Sequence, residues 1–195
     1  MGGSDTGPRR DRRTTRTRDR LQQVALELFV RQGFSHTTLQ DIADRLGVTR
    51  AAVYYHFATK ADLIRSLVQP AVDDVDAFLT EAARRDLAPR ELLERFFDLT
   101  YTHRLIFLAL TSDPTGLADA DAEDWVPRLA AQFQLLLAGP EPSERQRIRA
   151  VMAANGLSRS ATLLTDIPYE QLRAETVDAA MDLLAAPEPS GPILD

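Results

Sequence analysis

Leu39–Lys60, LQDIADRLGVTRAAVYYHFATK, reads as two short helices on either side of a tight turn, the second ending in aromatic and cationic side chains. Leu39, Ile42, Ala43 and Leu46 recur at helical spacing on one face, and Gly47 follows where a left-handed C-cap is wanted, so the first helix stops at Leu46. Thr38 precedes it with Asp41 three residues on, a hydroxyl and a carboxylate able to satisfy the free N–H groups of a first turn. After the turn, Val48 is an apolar plug, and Thr49 is placed to cap a helix running through Arg50, Ala51, Ala52, Val53, Tyr54 and Tyr55. The outer face of that helix begins small and polar, as a recognition helix must if its backbone is to approach base edges in a major groove. A buried helical hairpin in an all-helical protein shares the pattern, and both readings stand on the motif alone.

The charge distribution favours the first. The chain of 195 residues carries a formal charge of −6, yet residues 1–65 hold 12 Lys+Arg against 7 Asp+Glu and the remainder 11 against 22. One end attracts phosphate and the other repels it, the signature of a nucleic-acid-binding head on a body with another task.

Three motifs in order, VALELFVRQGF (Val24–Phe34), Thr38 with DIADRLGV (Asp41–Val48), and VYYHFATKADL (Val53–Leu63), make the run from Arg18 to Leu67 resemble the N-terminal domain of the TetR/AcrR family of bacterial transcriptional regulators. About fifty residues carry this resemblance; the rest is similar to the family only in length and helical character. It implies an all-α fold with an N-terminal three-helix helix-turn-helix DNA-binding domain and a C-terminal helical ligand-binding and dimerisation domain. It also implies that Gln40, Arg50, Ala51 and Tyr54 lie nearest base edges, while Thr38, Thr49, Tyr55, His56 and Lys60 hold the DNA backbone.

The residues themselves fit those expectations. Leu21, Val24, Ala25, Leu28 and Phe29 form one apolar stripe, Glu27 and Arg31 stand at i,i+4, and Gly33 ends the helix. Phe34, Ile42, Leu46, Val53 and Phe57 are expected to close a small core. Thr59 with Asp62 opens a fourth helix at Lys60, bringing a lysine and a helix N-terminus together as a phosphate site. A guanidinium at Arg50 can bond guanine O6 and N7 at once, or it can serve a phosphate. Ala51 fits a thymine methyl or simple close approach, and His56 a phosphate or a structural hydrogen bond.

Residues 1–13 are read as a disordered basic arm: GPRRDRRTTRTRDR has no apolar residue after Pro8, and it suits either a DNA-seeking arm or a solvated leader. Asp5, Asp11 and Asp19 argue against a transit peptide. The helix-turn-helix domain spans 14–62, a helical effector-binding and dimerisation domain 63–186, and a disordered tail 187–195. Neither a signal-peptide core nor an apolar run of membrane-spanning length is visible, and the absence of cysteine excludes disulfides, which fits a cytoplasmic protein.

Beyond Lys60 the pattern is helical only. Pro70 interrupts an apolar stripe, predicting either a kinked helix or a new one starting after Gln69. Phe78, Phe97, Tyr101, Phe107, Trp125, Phe133 and Met152 are candidate linings of an effector pocket as well as ordinary core, and His103, Arg104 and Asn155 are candidate orienting groups. The last two helices carry stripes of Ile148, Val151, Met152, Asn155 and Arg159, and of Leu172, Thr176, Ala179 and Leu183; the resemblance implies that such a pair meets its twin in a homodimer. With His36, His56 and His103 as its only histidines and no phosphate-binding glycine loop or metal-spaced cluster, the chain offers little to an enzyme, and no cofactor or metal is expected. The partners expected are a palindromic double-stranded operator, a second copy of the chain and an unidentified small-molecule effector, with no membrane. A DNA-binding or architectural protein governed by a protein partner, or by no effector, is the alternative.

Overall fold

The computed structural model describes residues 7–186, with side chains from Thr14 onward, and no strand occurs among them. The helices are α1 (Gly7–Gln32), α2 (Leu39–Leu46), α3 (Arg50–His56), α4 (Lys60–Arg85), α5 (Pro89–Thr102), α6 (Arg104–Ser112), α7 (Thr115–Asp119), α8 (Trp125–Ala138), α9 (Glu144–Leu163) and α10 (Tyr169–Ala185). The fold is all-α, with the helix-turn-helix at α2 and α3.

Capping chemistry sets several helix starts. The Thr38 hydroxyl accepts the Asp41 N–H at 3.1 Å while the Asp41 carboxylate accepts the Thr38 N–H at 2.8 Å, the reciprocal pair predicted from sequence. Ser143 and Gln146 repeat it at α9, and Thr59 with Asp62 ahead of α4. Gly47 ends α2 in the left-handed conformation, φ 71°, which a side chain would resist.

Some local expectations change. The Arg-rich stretch read as an unstructured arm is already helical from Gly7, where Pro8 falls in the first turn and its missing N–H is no loss. Residues 1–6 and the tail 187–195 lie outside the described residues. Pro70 stays inside a continuous α4 rather than opening a new helix. Glu27 accepts from the Gln23 amide at 3.5 Å instead of pairing with Arg31.

The chain forms two compact units. The first comprises the residues through Val72 together with Leu105–Glu123; the second comprises Asp73–Arg104 together with the residues from Asp124 on. In the first, Leu21, Ala25, Phe29, Phe34, Ile42 and Val53 are fully buried and Phe57 nearly so, while Leu46 packs partly buried against them. Ile106, Ala109 and Leu110 of α6 join this core, so α6 and α7 belong to the head although they follow α5 in sequence. Gly116 of α7 permits it: a Cβ there would stand 2.5 Å from the Phe34 ring.

In the second unit six aromatic residues form two groups. Phe96 and Phe133 stack with centroids 3.9 Å apart beside Phe78, over which the Arg95 guanidinium lies at 5.1 Å. Tyr101 meets Tyr169 at 4.8 Å next to Phe97. Polar groups lock the second group: Asp98 accepts from the Tyr169 hydroxyl at 2.6 Å and from Arg173 Nε at 2.7 Å. Burial, then this bond, pushes the Tyr169 hydroxyl up to about 12. Arg95, and after it Arg85, hold Glu81 down to about 2.

The Gly116 contact makes a stability prediction. Gly116→Ala forces a methyl into a ring that is 0 % exposed and cannot move aside, costing about 1–3 kcal/mol. Urea denaturation at neutral pH measures it; an unchanged midpoint overturns this account of how α7 seats on the head.

Candidate DNA interface

Successive α-helical residues advance by about 100°, and on α3 this sorts the side chains cleanly. Arg50, Tyr54, Ala51 and Tyr55 fall in one arc and all are exposed; outside that arc Val53 is buried, Ala52 and His56 are half-buried, and Phe57, the C-cap, is buried. Thr49 caps α3, its hydroxyl accepting the Ala52 N–H at 3.3 Å. The result is a short helix seated on a solid apolar base that presents an arginine, an alanine and two tyrosines to solvent. On α2, Gln40 is exposed and its amide donates to Asp44 Oδ1 at 2.7 Å. Thr38 is exposed at the α2 N-cap and Tyr55 is 74 % exposed, its ring edge-on to half-buried His56 at 5.2 Å.

Lys60 differs from its simple expectation. Its ammonium donates to the Phe34 carbonyl at 2.9 Å and stands 4.0 Å from Asp119, so in this conformation the lysine braces the head. A phosphate at the N-terminus of α4 would have to draw it outward. Arg65, one turn further along α4, is likewise engaged, by Asp121 at 2.7 Å and Asp62 at 3.2 Å.

The turn between α1 and α2, which positions Thr38, is fixed by a residue far along the chain. Asp113, just after α6, accepts both the backbone N–H and the hydroxyl of Ser35 at 2.9 Å, and the Thr115 hydroxyl at 2.6 Å. The Ser35 N–H first, then the Thr115 hydroxyl, hold its carboxyl well below the usual carboxylate range. No spacing rule links residues 35 and 113, so only the fold discloses the pair.

The candidate effector residues do not meet around one cavity. Phe78 and Phe133 sit in one aromatic group and Phe97 and Tyr101 in the other, while Phe107 packs against the core of the first unit. Trp125 is buried. His103 Nε2 lies 2.8 Å from Asp74 Oδ2, and Arg104 donates to the Tyr101 carbonyl at 2.9 Å with its guanidinium over that ring. Met152 is 56 % exposed, and Asn155 turns its amide back to the Val151 carbonyl at 2.9 Å on the exposed face of α9. An open cleft of about 510 Å³ is lined by Asp74, Phe78, Glu81, Arg95, Asp98 and Thr102, and contains one of the ten candidates, Phe78. No group of three or more His, Asp or Glu among the described residues could hold a metal ion, and no helix among them is long and apolar enough to cross a membrane.

Comparison with known proteins bears on this arrangement. Residues 21–67 match the family model described as bacterial regulatory proteins, tetR family. The chain is 48% identical over 52 residues to the HTH-type transcriptional regulator SrpR of Pseudomonas putida, covering 27% of this chain and 24% of SrpR. It is 34% identical over 116 residues to the HTH-type transcriptional activator FasR of Mycolicibacterium smegmatis, covering 54% of this chain and 51% of FasR. These matches thus span from about a quarter to about half the length of the curated relatives. In fold the chain is similar to Mycobacterium smegmatis AmtR, with a TM-score of 0.64 at 22% identity over 88% of this chain and 87% of that one.

The Asp113 cluster has a pH signature. Because its bonds favour the ionised form, the stability it contributes is present above about pH 4, the ordinary carboxylate value, and is lost as pH falls through the depressed folded value. Asp113→Asn should therefore lower the denaturation midpoint at pH 7, with the gap from wild type closing below pH 4. A gap that persists unchanged at pH 2.5 contradicts the assignment.

Proposed function

We propose that this chain, which belongs through residues 21–67 to the tetR family of bacterial regulatory proteins, is a sequence-specific DNA-binding transcriptional repressor. The observation that carries this reading is the face of α3: Arg50, Ala51, Tyr54 and Tyr55 exposed together, on a capped helix anchored by buried Val53 and by Phe57 at its C-cap. In this reading α3 lies in a major groove. Gln40, Arg50, Ala51 and Tyr54 stand nearest the bases, and Thr38, Thr49, Tyr55, His56 and Lys60 hold the phosphates. The basic stretch of α1 adds sequence-independent attraction. Names of transcriptional regulators among the relatives support a regulatory rather than an enzymatic role.

Two such heads grip a palindrome when they reach grooves about 34–36 Å apart, and a second copy is the partner that supplies the other head. The surface that fits this role lies on α9 and α10. Ile148, Val151 and Met152 are 59 %, 40 % and 56 % exposed, and Gly156 and Ala179 beside them are exposed and small enough for close helix approach. The working cycle is release of the operator when a small molecule binds the second unit better in a form whose heads are wrongly spaced, since only differential affinity can shift such an equilibrium. The cleft over Phe78, with its carboxylates and the Arg95 guanidinium, is our candidate entry for that molecule; its volume of about 510 Å³ suits one.

Selection of bound sites from a random duplex pool tests the DNA reading: a two-fold symmetric sequence is expected, and enrichment of no sequence overturns it. A promoter bearing that sequence should be silenced by the chain and reopened by an active compound. For the dimer, sedimentation should give twice the chain mass at micromolar concentration, and Met152→Glu should shift it to monomer with at least tenfold weaker operator binding. A wild-type monomer sinks the palindrome mechanism.

A further inference from the structure

We propose that Tyr54 is a positioning residue for Arg50: the tyrosine holds the guanidinium in the orientation that reads a guanine, and makes no base contact itself. This rests on the reading above, in which α3 enters a major groove. The two residues stand one helical turn apart, and Arg50 Nη2 donates to the Tyr54 hydroxyl at 2.9 Å while Arg50 Cζ lies 5.1 Å from the centre of the Tyr54 ring. The hydroxyl thus fixes one end of the guanidinium while the ring fixes its tilt. An exposed arginine with four rotatable side-chain bonds otherwise samples many orientations, and binding must freeze one of them.

The arrangement leaves Arg50 competent to read. A guanidinium has five N–H groups in a planar fork, and this bond uses one, so enough of the fork remains open for guanine O6 and N7. Tyr54 is less free. Its hydroxyl already accepts from Arg50 and its ring faces the guanidinium, and it is 42 % exposed where the neighbouring Tyr55 is 74 % exposed. Of the two adjacent tyrosines, Tyr55 reaches outward and Tyr54 braces the arginine.

The test uses the full-length chain, the selected operator, every single base-pair variant of it, and an unrelated duplex. Arg50→Ala should abolish discrimination at one G·C pair in each half-site. Tyr54→Phe keeps the ring and removes the hydroxyl. It should reduce discrimination at that same pair by about three- to tenfold, change affinity for the unrelated duplex by less than about twofold, and have no further effect when added to Arg50→Ala. Thermal melting controls for folding, and no shift is expected because both side chains are exposed. A Tyr54→Phe loss that is uniform over all sequences would make the hydroxyl a phosphate donor. A loss at a different base pair would make Tyr54 a reader in its own right, and an unchanged profile would make the pair idle; each overturns the proposal. If instead Arg50→Ala weakens every sequence equally, the assignment of Arg50 as a base reader fails, and if the wild type selects no sequence, the regulator reading fails.

Discussion

The seating of Phe34 is the constraint on which the head depends. Its ring is fully buried, 4.5 Å from the Phe29 ring, and lies where Gly116 leaves room for it. Its carbonyl accepts the Lys60 ammonium, and the next residue, Ser35, is tied by two hydrogen bonds to Asp113. One residue at the turn between α1 and α2 is therefore bound to α1, to the start of α4 and to the segment after α6. The orientation of α2, and through Gly47 that of α3, follows from where this turn is held. A domain of this size has few core residues to distribute that task, so a single aromatic contact carries a large share of it.

The parts legible in the sequence were those governed by local rules. The α2 caps, the stop at Gly47, the Thr49 cap and the apolar stripes of α1 each depend on residues within a turn or two, and the spacing of Leu39, Ile42 and Ala43 encodes them directly. Legibility ended where residues distant in the chain meet. The inclusion of α6 and α7 in the head, the Ser35–Asp113 bonds and the inward turn of Lys60 all join positions separated by 26 residues or more, and no periodicity reports such pairings. Composition likewise marked Phe78, Phe97 and Phe133 as apolar without showing that they divide into two groups. An aromatic residue satisfies a core and a ligand equally well, and only packing decides between them.

The formal charge of the N-terminal region also overstates the charge it offers. Lys60 and Arg65 are counted in the basic end, yet Asp119 and Asp121, counted in the acidic remainder, fold back beside them. A linear division of charge therefore misplaces these carboxylates, which belong to the same compact unit as the cations they face. The free cations of the reader are those on its outer surface, where ion pairing with solvent ions is weak and readily exchanged.

Gly47 carries a last consequence. Nothing lies within 4 Å of the place a side chain would take there, and the turn is closed by the Val48 N–H on the Ala43 carbonyl at 3.0 Å. The angle between α2 and α3 thus rests on the Gly47 torsions and on backbone bonds at the turn, together with the shared packing of Ile42, Ala43 and Val53 in the core. Torsional preferences respond little to ionic strength, so the reading angle stays constant while the strength of the grip on phosphate rises and falls with salt. Orientation and adhesion are separate quantities in this head, and the surface can diversify its chemistry around a hinge-free joint.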